Sequence, residues 1–188
     1  MTVTVQEVAR YLRMGGSVPA GALAARIEEL VAVAESMVRP ARIWRRLPVG
    51  NIPSPGTTLL RHVEGCAEAY LVCGTLGPGL DALQRRVSVT SGADALIVQA
   101  VGAALIERHM DGVEEEIRAE LAPGETLLTR YSPGYGDFPL EAQRPILALL
   151  DTPRKIGVSL TDSLLMVPSK SVSAVIGVGR CAEGGSVL

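Results

Sequence analysis

The chain has 188 residues, a formal net charge of -2, 47% hydrophobic residues and 3% aromatic ones, enough for one domain whose core must be built from Ala, Val, Leu and Ile. The near-neutral balance gives no electrostatic footing for nucleic acid or an anionic membrane surface, and no apolar run of about 18 residues is present to span a bilayer, so neither is expected as a partner. Three scattered cysteines, Cys66, Cys73 and Cys181, with two histidines and no C-x-x-C pair, argue against a metal site or a disulfide framework. With no secretory leader at the start, a reducing cytoplasm is expected.

Residues 5–14 place Val5, Val8, Ala9 and Leu12 at helical spacing and stop at Gly15-Gly16. Residues 19–38 predict a second helix, with Leu23, Ile27, Leu30, Val31 and Ala34 on one side and Arg26, Glu28, Glu29 and Glu35 on the other, ended by Pro40. Two β-like segments follow, residues 42–47 and 57–63, separated by a loop rich in Pro and Ser. Residues 67–76 form a more apolar strand candidate centred on Tyr70-Leu71-Val72-Cys73. It runs into Gly74-Thr75-Leu76-Gly77-Pro78-Gly79, which has neither P-loop nor GxGxxG spacing. Pro78 also removes a donor that a phosphate cradle would need, so a strand-to-helix turn is the better reading.

Ser91 or Asp94 caps the longest periodic segment, residues 95–120, whose stripe is Ile97, Val101, Leu105, Val113 and Ile117. A second face runs from Leu96, Ala100 and Ala103 to Glu107, with Met110 and Asp111 one turn beyond. Small residues there would let a ligand approach a carboxylate, although on pattern alone Glu107 is more simply read as a solvated residue or as a partner of Arg108. His109 has no ligand partners in sequence, and Glu114-Glu115-Glu116 reads as a solvated charge run. Residues 140–150 predict a helix, and the segment from Leu164 predicts two strands about a Pro-Ser-Lys-Ser turn. Irregular alternation ending in a hairpin argues for an α+β fold with a twisted, mainly antiparallel sheet and flanking helices. The expected division is an N-terminal helical segment, 1–40, and a larger unit, 41–188, packed together as one compact body.

Between the last two helices lies Arg130-Tyr131-Ser132-Pro133-Gly134-Tyr135-Gly136-Asp137-Phe138-Pro139, which holds three of the five Tyr and Phe rings of the chain. Pro133 pre-sets φ and Gly134 tolerates φ > 0, so Pro-Gly predicts a type II turn that is either a plain surface bend or a ligand-presenting one. Composition and spacing carry function no further. Neither a Ser/His/Asp set nor a cysteine with a usable base is evident, and an acid-base pair of Tyr135 and Glu107 lacks a third orienting group.

The pair of motifs Arg130-x-Ser-Pro-Gly-Tyr135 and Leu160-Thr-Asp-Ser-x-x-Met-x-Pro-x-x-Ser-Val-Ser173 resembles the activation, or S-adenosylmethionine (AdoMet)-binding, domain of vitamin B12-dependent methionine synthase, in a short stand-alone form. The resemblance is clear over residues 94–177. It implies a module that binds AdoMet and presents its methyl group to cobalamin carried by a separate methyltransferase, after an electron from a flavodoxin-like or other reductant has reduced cob(II)alamin. Carried over, the ligand contacts fall on Glu107, Arg130, Ser132, Gly134 and Tyr135, with the Arg130 guanidinium suited to a methionyl carboxylate and Tyr135 toward the corrin and the sulfonium. The pattern departs from that of the long enzyme in three places, one being an acidic ligand residue of its N-terminal part that has no matching position here. Gly136-Asp137-Phe138 stands where the long enzyme carries Pro-Ala-Cys, and Ile176 replaces a tyrosine that touches the adenosyl group. The same resemblance is compatible with a docking module that meets a corrinoid protein without AdoMet.

Overall fold

A computed structural model describes residues 2–180; Cys181 and the end of the expected 41–188 unit lie outside the described residues. Four strands form one sheet in the order β1 (Ala41–Pro48), β2 (Glu68–Thr75), β6 (Ser171–Arg180), β3 (Glu125–Leu127), with every pairing antiparallel. Helices cover both faces. On one side lie α1 (Val5–Tyr11), α2 (Gly21–Met37), α4 (Gly79–Thr90) and α5 (Gly92–Ala119), and on the other α3 (Thr57–His62) and α6 (Gln143–Leu150). The α+β class with an antiparallel sheet and flanking helices is therefore observed.

The two faces explain the composition of the central strands. Along β2, Tyr70 and Val72 enter one apolar cluster with Ile27, Leu30, Leu105 and Met110, while Ala69, Leu71 and Cys73 enter a second with Leu59, Phe138 and Ile146. Strand β6 does the same, sending Ala174 and Ile176 one way and Val175 the other. A strand covered on both faces reads as a continuous apolar run rather than an alternation. The N-terminal helices share the first cluster, with Val8 and Ile27 packed into the same apolar body as Ile176.

Several local choices differ from the sequence expectations. Residues 57–63, expected as a strand, form α3: the Asp137 carboxylate accepts hydrogen bonds from the backbone N–H groups of Thr57 and Thr58, both at 2.8 Å, and so supplies the N-terminal cap from a distant part of the chain. The expected hairpin about Pro168 is also replaced. Residues Met166–Val167 (β5) pair with Ser159–Leu160 (β4), because the bend sits at residues 161–165, where the Thr161 N–H donates to the Leu165 carbonyl at 2.9 Å and Leu164 takes φ +65°. Ser169 is instead drawn to Asp81, whose carboxylate accepts from its N–H at 3.1 Å. At the start of α5 the cap is Ser91, whose hydroxyl accepts from the Asp94 N–H at 3.1 Å, while the Asp94 side chain pairs with Arg26 at 2.5 Å.

The glycine-rich loop after β2 proves to be a crossing point. Gly77 has φ +76°, and the Arg39 N–H donates to the Leu76 carbonyl at 2.9 Å. A Cβ on Gly79 would collide with the Met37 carbonyl at the end of α2. Gly92, at the first turn of α5, has nothing within 4 Å of the same position. Gly79→Ala is therefore expected to lower stability by about 1–3 kcal/mol through overpacking, whereas Gly92→Ala should be neutral or mildly stabilising. Urea titration of the two variants checks this, and equal effects would contradict the crossing.

Candidate ligand site

After β3 the chain keeps following β6 without forming a continuous ladder. The Leu128 N–H donates to the Gly177 carbonyl, and Tyr131 and Val175 exchange both of their backbone hydrogen bonds, all at 2.9 Å. Neighbouring residues of an extended chain point to opposite faces. Tyr131 enters the second layer, its ring 5.1 Å from His62 and 6.4 Å from Phe138. Arg130 turns to α5.

There it meets three carboxylates on successive turns. One guanidinium nitrogen, Nη2, donates to Glu107 Oε2 at 2.9 Å and to Asp111 Oδ1 at 3.0 Å. The other, Nη1, lies 2.9 Å from Glu114 Oε1, a charge contact whose angle does not make a hydrogen bond, and has no hydrogen-bond partner among the described residues. Arg130 and Glu114 side chains are each 19% exposed, against 48% for Glu107 and 67% for Asp111. The inner pair is shielded and the outer pair faces water.

Beyond Arg130 the chain makes the expected bend. The Tyr135 N–H donates to the Ser132 carbonyl at 3.2 Å, with Pro133 at the second position and Gly134 at φ +95° at the third, as a type II turn demands. A second bend closes on it: the Phe138 N–H donates to Tyr135 at 3.0 Å, and the Gly134 N–H to Phe138 at 2.8 Å. The Tyr135 ring is 66% exposed and stands edge-to-face against Tyr131 at 6.3 Å.

The residues that depart from the long-enzyme pattern are structural. A Cβ on Gly136 would press on the Thr58 and Tyr131 hydroxyls, Asp137 caps α3, and Phe138 is fully buried in the second cluster. Ile176, which the resemblance sets against a tyrosine of the long enzyme, is wholly buried in the layer that contains α5 and offers no surface to a ligand.

Of the five expected site residues, Glu107 and Arg130 are in direct contact, and Ser132, Gly134 and Tyr135 form the turn that follows. Glu107 is not paired with Arg108, which reaches Glu7 of α1 instead. The charge run is not uniformly solvated either: Glu114 meets Arg130, and Glu116 meets Arg42 at 2.7 Å. Asp111 and Glu114 were missed as partners of Arg130. Their spacing from Glu107, four and seven residues, places all three on one helix face and was the available signal. His109 Nε2 lies 3.1 Å from the Ala41 carbonyl, which can only accept, so Nε2 carries a proton and donates it there; burial pulls the pKa of the ring down.

Two concavities flank this edge. A cleft of about 440 Å³ between α1 and α5 is lined by Tyr11, Arg10, Glu107, Arg108 and Asp111. A more apolar groove of about 640 Å³ is lined by Leu140, Gln143, Leu165 and Met166 and by Asp81, so the Thr161 segment borders this groove while its continuation, Ser171 to Ser173, starts β6. Among the described residues no cluster of three His, Cys, Asp or Glu could hold a metal ion, and no helix is long and apolar enough to cross a membrane.

A family model described as the vitamin B12 dependent methionine synthase activation domain matches residues 85–183, more than half of the chain. The chain belongs to that family. Its backbone also superposes on the crystal structure of the MetH reactivation domain bound to AdoHcy, with a TM-score of 0.63 and 17% identity over 99% of this chain and 79% of that one. Comparison with curated proteins by sequence returned no match. In this activation domain the Arg130–Tyr135 turn is thus set between β6 and α5 and braced from below by α3.

That brace is titratable. Hydrogen bonds first from the Thr58 side chain, then from the Thr58 and Thr57 backbone, hold the Asp137 carboxyl down to about 2 from 3.8. A depressed carboxylate contributes stability that is complete above its unfolded pKa and is lost as pH falls toward the folded one. Asp137→Ala is expected to melt below the wild type at pH 7, with the gap closing between about pH 4 and pH 2. Thermal unfolding across that range checks it; a gap independent of pH would contradict the cap.

Proposed function

We propose that this chain is an AdoMet-binding reactivation module for a cobalamin-dependent methyltransferase in the cytoplasm. Its cobalamin is held by a separate methyltransferase protein, either a methionine synthase or another corrinoid enzyme. In this reading AdoMet, when bound, would supply a methyl group to the partner's cobalamin once a flavodoxin-like or other reductant had reduced it, with S-adenosylhomocysteine as the product left on the chain. The chain contributes binding and orientation: Arg130 takes the methionyl carboxylate in a charge-assisted pair, Glu107 takes the amino or ribose end, and Ser132, Gly134 and Tyr135 line the exposed turn, with the Tyr135 ring beside the sulfonium.

The observation that carries this reading is the contact of Arg130 with Glu107 beside an exposed tyrosine turn, in a chain of this family. A cation and a carboxylate in contact suit a zwitterionic amino-acid group, which offers one charge to each. The carboxylates themselves favour a second reading. Arg130 is already met by three of them, so the fold could be kept as a docking module for a corrinoid protein with AdoMet binding lost.

Isothermal titration with AdoMet separates the two. The first reading expects a measurable Kd in the wild type and at least tenfold weaker binding in Arg130→Ala and Glu107→Ala, the size of one lost charge-assisted hydrogen bond. No heat with AdoMet, either alone or with a corrinoid protein that the chain still retains in a pull-down, would leave the docking reading.

A further inference from the structure

We infer that Asp111 is an exchangeable counter-ion of the site: it holds the Arg130 guanidinium against α5 when no ligand is present and yields it to the carboxylate of an incoming amino-acid group. This rests on the AdoMet reading and adds to it the residue with which a ligand's carboxylate must compete for Arg130. The three contacts to Arg130 are not equivalent. Glu114 is as shielded as the arginine it faces and lies 2.9 Å from Nη1 as a charge contact without a hydrogen bond, so it is the inner counter-charge that a ligand does not reach. Glu107 and Asp111 share the single nitrogen Nη2, and Asp111 is the more exposed of the two, at 67% against 48%.

Exposed ion pairs are weak, shifting an equilibrium by a factor of about five at most. A ligand carboxylate brings two oxygens to the guanidinium fork, where Asp111 supplies one. Exchange at Nη2 is thus favoured for a ligand already held nearby. The displaced Asp111 also has somewhere to act. Together with Glu107 it lines the cleft of about 440 Å³ between α1 and α5, which Tyr11 and Arg108 also line, so an ammonium group arriving with the carboxylate finds Glu107 and the released Asp111 there.

The sign of a substitution distinguishes this from general electrostatics. AdoMet is cationic at its sulfonium, so removing a nearby negative charge should weaken binding if Asp111 acts through its field. If Asp111 competes for Arg130, removal should tighten it. The test is titration of the wild type, Asp111→Asn, Arg130→Gln and the double variant with AdoMet and with 5′-methylthioadenosine, which lacks the amino-acid group; thermal melts check that each variant is folded. The expected result is AdoMet binding about two- to fivefold tighter in D111N, unchanged binding of 5′-methylthioadenosine, and no gain from D111N in the R130Q background. Binding seen in D111N but not in the wild type would support the exchange as well. AdoMet binding that is equal or weaker in D111N, or an equal gain for both ligands, would overturn it. Folded proteins that bind AdoMet in neither the wild type nor D111N would overturn the underlying AdoMet reading, and the exchange with it.

Discussion

The reciprocal pair of backbone hydrogen bonds between Tyr131 and Val175 is the constraint on which the site depends. It ties the segment after β3 to the central strand β6, at a register where Tyr131 must enter one layer and Arg130 the other. A slip of one residue would exchange them, burying a guanidinium among Leu59, Phe138 and Ile146 and exposing a ring. Because both faces of β6 are filled, register is specified on both sides. The position of Arg130 over α5 is thus a consequence of sheet packing as much as of its own ion pairs.

The turn that follows is braced from three directions. Val175 holds its beginning, the Asp137 cap fastens it to α3, and Phe138 anchors its end in the second cluster. The close approach of Gly136 to the Thr58 and Tyr131 hydroxyls leaves no room for a side chain there. A frame of this kind leaves Tyr135 exposed on rigid backbone, the condition under which a single ring can be presented at a fixed position without being packed away. At the opposite end of the sheet, Arg46 performs a comparable fastening. Its guanidinium binds Glu68 on β2 and Glu125 on β3 while stacking over Tyr70 at 5.7 Å, so the outer strands are joined across the sheet by charge as well as by backbone.

Long elements were legible because their patterns are long. The stripe from Ile97 to Ile117 has six turns in which to declare a period, and the apolar run at Tyr70 to Cys73 announces a strand covered on both sides. The Pro133-Gly134 turn was legible because each residue carries its own conformational restriction. Residues 57–63 were not. Two threonines mimic a strand, and the group that makes them a helix start is Asp137, 80 residues from Thr57. Strands of two residues, Ser159–Leu160 and Met166–Val167, are too short to show alternation, and Pro-Ser-Lys-Ser is a stronger turn pattern than the bend at Thr161 to Leu165, which carries neither Pro nor Gly. At the site, Glu107 and Arg130 stood out, but the charge run concealed that Glu114 turns inward while Glu115 faces water. Helical spacing groups carboxylates on a face; it does not say which cation another element will bring to them.

The proposed role of this chain depends on where an AdoMet-type ligand sits. Backbone amide NMR shifts of the isotope-labelled chain, titrated with S-adenosylhomocysteine, test this most directly. The account expects the perturbed amides to cluster at Glu107, Asp111 and residues 130–135, with little change along the groove bordered by Leu165 and Met166. Saturable shifts confined to that groove, or to the Arg46 end of the sheet, would contradict it.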